Sequence, residues 1–165
     1  MTWLDVKKQI VVLAESVKRL SSVVLTLEEI ANQARKESEE LLQNVAAGPA
    51  APVEQEAELY SAIADACNAT AVTAASSELV VARCRRHAEM LRETLHSTIQ
   101  LMAQLRDGKS DSAIATGALG SLARRLDERL LESRSMVEQA SGTAEEFLER
   151  SRVIEHLRSR LRARR

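Results

Sequence analysis

Apolar residues recur along the first third of the chain at alternating steps of three and four residues. Twelve of the thirteen positions are apolar or alanine, and none is charged: Trp3, Val6, Ile10, Leu13, Val17, Leu20, Val24, Leu27, Ala31, Ala34, Ser38, Leu41 and Val45. This spacing places one narrow apolar stripe along a single helix, and such a stripe is stable only against other helices. We call these thirteen positions the heptad seam, and they predict a helix over residues 3–45.

The middle of the heptad seam also carries a signature of self-association. β-Branched residues alternate there with leucines, in the order Ile10, Leu13, Val17, Leu20, Val24 and Leu27. This alternation favours a parallel two-stranded coiled coil. We therefore expect these six residues to form a seam for helix packing or oligomer formation, and we expect the chain to be a homodimer or another homo-oligomer.

Two breaks divide the rest of the chain. Gly48, Pro49 and Pro52 predict a linker over residues 46–52, because proline cannot continue a helix. The segment Asp107–Gly108–Lys109–Ser110 predicts a turn over residues 107–111. Stripes at helical spacing predict a second helix over residues 53–106 and a third over residues 112–162. Threonine, serine and valine cluster between residues 68 and 77, so a kink or split of the second helix there is an open alternative.

These elements predict an all-α fold with one domain over residues 1–165. The expected architecture is an elongated up-down-up bundle of three long helices with coiled-coil-like packing. Composition agrees, because alanine, leucine, glutamate and arginine dominate, and only Trp3, Tyr60 and Phe147 are aromatic. The apolar runs are far too short to span a bilayer, so no transmembrane segment is expected.

The two cysteines bear on the compartment. Cys67 and Cys84 lie 17 residues apart on the second predicted helix. At about 1.5 Å per residue they are roughly 25 Å apart, so they cannot form a disulfide within it. Buried free thiols predict a reducing, cytoplasmic location, and a disulfide between two copies is the alternative.

Candidate chemistry is sparse. Glu93 and His96 have the Glu-x-x-His spacing used in di-iron helical bundles, but that site needs a second such element and two further glutamates. His87 follows two arginines, which predicts a surface position. Because no acid, base and nucleophile converge, we expect no catalytic residues, no metal, no cofactor and no enzymatic activity.

Charge is unevenly distributed along the chain. Residues 1–82 carry a net charge of −6, whereas residues 83–165 carry +5. The sequence ends in a basic tail, residues 158–165, with Arg158, Arg160, Arg162, Arg164 and Arg165. These arginines are a candidate site for nucleic-acid phosphates or anionic lipid. The alternative is internal pairing with the carboxylates that flank the 46–52 linker, which are Glu37, Glu39, Glu40, Glu54, Glu56 and Glu58.

The sequence therefore predicts a non-enzymatic helical module. We expect a scaffold or adaptor that acts through coiled-coil self-association and protein–protein interaction, with a partner that the sequence does not identify. The alternative is a nucleic-acid-binding accessory protein that uses the arginine tail. We favour it less, because no aromatic residue lies near the tail to stack on bases.

Overall fold

Three long helices make up the described part of the protein. The computed structural model describes residues 3–48, 54–107 and 112–164. The helices are α1 (Trp3–Ala46), α2 (Glu54–Asp107) and α3 (Ser112–Ala163), and they pack against one another in pairs. No strand occurs in the described ranges. The chain is thus an all-α three-helix bundle, as the hydrophobic pattern predicts. Most of the predicted 46–52 linker, residues 108–111 of the predicted turn, and Arg165 lie outside the described residues.

α2 continues as one helix through residues 68–77. The sequence alone had allowed either a continuous helix or a kink or split in this stretch. Two buried hydroxyl groups of this stretch bond to carbonyl oxygens of the same helix: the Thr70 hydroxyl donates to the Ala66 carbonyl at 2.9 Å, and the Ser77 hydroxyl donates to the Ala74 carbonyl at 2.7 Å. The buried Thr73 hydroxyl instead donates to the Glu146 carboxylate of α3 at 3.0 Å. Such bonds satisfy a buried hydroxyl without breaking the helix. Packing on both neighbouring helices therefore outweighs the weak propensity of this stretch.

The chain divides into two compact units. Unit 1 contains Met1–Val24 and Ala82–Gln139, and unit 2 contains Leu25–Val81 and Ala140–Arg165. Each unit holds a segment of all three helices.

The core of unit 2 is a continuous aliphatic cluster with side chains from every helix. It contains Leu41 of α1, Leu59, Ile63 and Cys67 of α2, and Ile154, Leu157 and Leu161 of α3. Phe147, the only phenylalanine of the chain, is also fully buried on α3 in this unit. Burial of such side chains contributes about 1.5–3 kcal/mol each, which makes this cluster the main source of stability in unit 2.

The core of unit 1 is also mainly aliphatic and includes the Cys84 thiol. Its buried side chains include Val6, Leu13, Leu20, Cys84, Leu91, Leu119, Leu122 and Leu126. Polar contacts join α1 to the other two helices in this unit. The Arg92 guanidinium of α2 lies 3.4 Å from the Ser21 hydroxyl of α1, and Gln9 of α1 donates to Asp127 of α3 at 2.7 Å. Three buried polar side chains join this core: His87, Thr98 and Ser133.

Candidate interaction surfaces

The six residues predicted to form the packing or oligomer seam lie inside the bundle, with one exception. Leu13, Val17, Leu20, Val24 and Leu27 are all buried in the single chain, whereas Ile10 is half-buried. Since α2 and α3 of the same chain already cover the buried five, these side chains are not available as a surface for a second copy. The heptad stripe thus serves packing within the chain.

Ile10 instead lines a groove between α1 and α2 in unit 1, which we call the Trp3 groove. Its cavity volume is about 600 Å³. The lining residues are Trp3, Lys7 and Ile10 of α1 and Ile99, Met102, Ala103 and Arg106 of α2. On each helix these positions recur at steps of three and four, so each wall is one face of a helix. Five of these seven described side chains are apolar, and none of the seven is acidic.

The two cations of the Trp3 groove are Lys7 and Arg106, and both side chains are exposed. Because α1 and α2 run in opposite directions, Arg106 lies towards the start of α1, and Ile99 lies towards Ile10. Arg106 therefore lies at the Trp3 end of the groove, whereas Lys7 lies midway along the α1 wall, between Trp3 and Ile10.

A second groove in unit 1 lies between α1 and α3 and has a volume of about 380 Å³. It is lined by Val12, Glu15, Ser16 and Arg19 of α1 and by Leu130, Ser133, Arg134, Val137 and Glu138 of α3. Two carboxylates and two guanidiniums balance each other in this lining. The second groove therefore lacks the charge bias of the Trp3 groove.

His87 is buried in unit 1, so the predicted surface position is wrong. Its Nδ1 lies 3.9 Å from a carboxylate oxygen of Glu132 on α3, and its Nε2 has no hydrogen-bond partner among the described residues. Burial lowers the pKa of His87, and the charge of Arg129 lowers it further, while Glu132 and a backbone hydrogen bond with Arg129 oppose the shift. His87 is therefore a neutral core residue at neutral pH.

Both cysteines are free and buried. The Cys67 thiol lies 3.6 Å from the Ser38 carbonyl oxygen in unit 2, and the Cys84 thiol lies 3.8 Å from the Met136 carbonyl oxygen in unit 1. Burial raises the pKa of the Cys84 thiol. A protonated, covered thiol is a poor nucleophile, so Cys84 has the chemistry of a packing residue.

Only part of the arginine tail faces inward. The Arg158 side chain is mostly buried and lies 2.9 Å from Glu155 and 4.0 Å from Glu40, and it donates to the Glu37 carbonyl at 3.4 Å. Arg160 and Arg162 are exposed, and the backbone N–H of Arg164 donates to the Leu161 carbonyl. Internal pairing thus holds for Arg158, which leaves Arg160 and Arg162 on the surface.

Glu93 and His96 are both exposed on α2. Within the described part of the chain, no three histidine, cysteine, aspartate or glutamate side chains lie close enough to hold a metal ion. In the same residues, no helix contains a stretch long and apolar enough to cross a membrane.

Sequence reasoning missed the Trp3 groove and the burial of His87. The sequence does contain a signal for the groove, because Ile99, Met102 and Arg106 recur at steps of three and four and therefore share one face of α2. No local signal marks His87, because the residues that cover it come from α3. No protein-family model, curated protein or solved structure matches the chain, so these surfaces alone carry the argument about function.

Proposed function

We propose that the chain is a non-enzymatic helical interaction module that binds a protein partner through the Trp3 groove. One observation carries this proposal: the bundle uses its heptad seam internally, yet keeps a wide apolar groove between α1 and α2. Grooves between two helices are a recurrent binding site for the apolar face of a third helix. The two free, buried cysteines support a cytoplasmic site of action, where thiols remain reduced.

The groove has the composition of a recognition site. Trp3, Ile10 and Met102 combine an aromatic ring, a branched aliphatic side chain and a flexible thioether. Tryptophan is enriched among the residues that dominate binding energy, and methionine adapts to irregular partner surfaces. A scaffold or adaptor role follows if the partner occupies this groove while the rest of the bundle stays folded.

Site-specific crosslinking in the source cells tests the proposal. A photo-reactive residue at Ile99 reports on the Trp3 groove, and the same residue at Val72, an exposed position of α2 in unit 2, is the matched control. We expect an adduct with another protein from position 99 and none from position 72. Absence of any adduct from position 99 would overturn the proposal.

Homodimer formation is a further part of the proposal. Leu4 and Val11 are about 60 % and 58 % exposed on α1 of unit 1, outside the buried part of the heptad seam. These side chains support a contact between two copies, because apolar side chains gain free energy when a partner covers them. Light scattering at micromolar concentration checks it, and a mass of only 18.2 kDa would exclude the dimer.

Nucleic-acid binding is the second candidate function, and the exposure of Arg160 and Arg162 supports it. The surrounding charge argues against this function, because unit 2 carries nine Lys/Arg against fourteen Asp/Glu. Its net charge of −5 would repel phosphate groups. Titration of a labelled duplex with full-length protein and protein lacking residues 158–165, at about 50 and 200 mM salt, separates the two functions. Tight binding that is lost on truncation would favour nucleic acid, whereas we expect weak or no binding.

A further inference from the structure

We infer that the Trp3 groove selects an amphipathic partner helix whose apolar face is flanked by carboxylates. This inference rests on the proposed function and names the chemistry of the partner. It follows from three features of the groove, which are its apolar walls, its two cations and its open side.

The walls set the shape of the occupant. Trp3, Lys7 and Ile10 repeat along α1 at steps of four and three, and Ile99, Met102 and Arg106 repeat along α2 at steps of three and four. Side chains at this spacing form ridges that interdigitate with the same spacing on another helix. An occupant with apolar residues at intervals of three and four therefore matches both walls at once.

The cations set the charge of the occupant. Among the described residues, neither Lys7 nor Arg106 forms an ion pair, and the lining contains no carboxylate. Unit 1 as a whole carries fourteen Lys/Arg against ten Asp/Glu, a net charge of +4. Complementary charges at the rim of an interface speed association and select the partner. Carboxylates beside the apolar face of the partner would meet Lys7 on one wall and Arg106 on the other.

Two other occupants fit this groove less well. A second copy that contributes the same groove across a two-fold axis would bring together two cationic linings, each with Lys7 and Arg106, which is repulsive. A small amphipathic acid would remain exposed on the open side, whereas ligand sites normally bury most of the ligand surface. A helix covers the groove along its whole length and leaves its own polar face in water.

Trp3 provides the reporter for a direct test, because it is the only tryptophan of the chain and lines the groove. The probe is a synthetic helical peptide of about 18 residues, roughly 27 Å long, with leucines at intervals of three and four and glutamates beside them. The matched peptide has lysine in place of every glutamate. We expect the glutamate peptide to shift Trp3 fluorescence and to bind at least about tenfold more tightly than the lysine peptide at about 50 mM salt.

Charge reversal in the protein sharpens the test. In the double variant Lys7→Glu and Arg106→Glu, we expect the preference to reverse in favour of the lysine peptide. The matched control carries the same two changes outside the groove, at exposed Lys18 and Arg83, and should keep the original preference. Far-UV circular dichroism of both variants shows whether each remains folded, and both replaced pairs are on the surface.

The peptide affinities and the Trp3 fluorescence shift distinguish the possible occupants of the groove. Equal affinity for both peptides, no shift with either, or an unchanged preference in the groove variant would overturn it. A Trp3 shift with laurate, a long-chain carboxylate, and none with the glutamate peptide would assign the groove to a small ligand and also overturn it. If position 99 still crosslinks to a protein while the peptides fail, the proposed function stands and only the acidic character of its partner is wrong.

Discussion

Units 1 and 2 contain segments of the same three helices, yet they treat polar groups differently. The most deeply buried polar side chains in the described part of unit 2 are hydroxyls, and Thr70 and Ser77 bond to carbonyl oxygens of their own helix. Arginines of this unit are only partly covered, although the Nε of Arg150 is buried without a partner among the described residues. Unit 1 buries an ionisable side chain, His87, and leaves its Nε2 without a partner among the described residues. Unit 2 is also net acidic, whereas unit 1 is net basic and carries the Trp3 groove.

This difference shows that the apolar stripe of a helix does not by itself determine how completely the neighbouring helices cover it. Both units draw on the heptad seam for packing, with Leu20 in unit 1 and Leu41 in unit 2 fully buried. The stripe fixes which face of a helix turns inward. Ile10, within the stripe of α1, nevertheless lines a groove, and His87 of α2 is a buried polar side chain.

The largest effect is expected from a charge in the core of unit 1. Leu20→Asp removes a fully buried leucine and replaces it with a carboxylate, which should cost at least about 4 kcal/mol of unfolding free energy. Leu25→Asp on the same helix is the control, because Leu25 is exposed and its replacement should change stability by about 0.5 kcal/mol or less. Urea denaturation followed by circular dichroism measures both, and equal losses would show that Leu20 is not in the core.

The matching change in unit 2 is Phe147→Ala. Phe147 is fully buried, so its truncation should cost about 3–5 kcal/mol through lost burial and the cavity that remains. Leu148→Ala is the neighbouring control, since Leu148 is half-exposed and should cost less than about 1 kcal/mol. A small loss for Phe147→Ala in the same urea assay would mean that the core of unit 2 is loosely packed.

His87 should make the stability of the protein depend on pH. Its pKa is lowered from the ordinary value of 6.5 in the folded state, so the unfolded chain binds the proton first as pH falls. Stability is therefore full above about pH 6.5 and decreases below it, until the folded state also binds the proton. His87→Gln should flatten this decrease, and His156→Gln, at an exposed position of unit 2, is the matched control for the loss of a histidine. Urea midpoints across this range give the comparison, and identical curves for both variants would contradict it.

Replacement of either of two glycines within α3 by alanine should increase the stability of the protein. A Cβ added at Gly120 in unit 1 or at Gly142 in unit 2 meets no atom within 4 Å, so alanine at either position should add about 0.5–1 kcal/mol of stability by removing backbone freedom from the unfolded chain. Gly48 is the control, because its added Cβ would lie 3.2 Å from the Val45 carbonyl oxygen. Thermal melts check all three, and destabilisation at Gly120 or Gly142 would reveal a close contact at that helix face.

The smallest effect concerns the arginine tail of unit 2. Arg158→Ala removes the ion pairs with Glu155 and Glu40 and should cost about 0.2–1 kcal/mol, less at high salt, because both carboxylates are exposed. Arg160→Ala should have no measurable effect, since its side chain is exposed and forms no ion pair with a described residue. Thermal melts at low and high salt compare the variants, and an equal loss for both would exclude a specific role for Arg158.

The sequence by itself determined the helices and most of their buried faces. α1 and α2 each end one residue beyond the predicted 3–45 and 53–106 bounds, and α3 ends one residue beyond the predicted 112–162. Local chemistry explains this accuracy, because a run of three- and four-residue steps specifies a helix and its inner face, while glycine and proline interrupt it. The buried positions Leu13, Leu27 and Leu41 followed from the same spacing.

Only the tertiary structure decided what covers each face. The heptad seam has the same period whether its partner is a helix of the same chain or of a second copy, so the sequence could not choose between them. His87 is buried because Arg129 and Glu132 of α3 lie beside it, and Arg158 is paired because Glu40 of α1 is within reach. These neighbours are far away in sequence, and which of them meet depends on how the helices are rotated and shifted against one another.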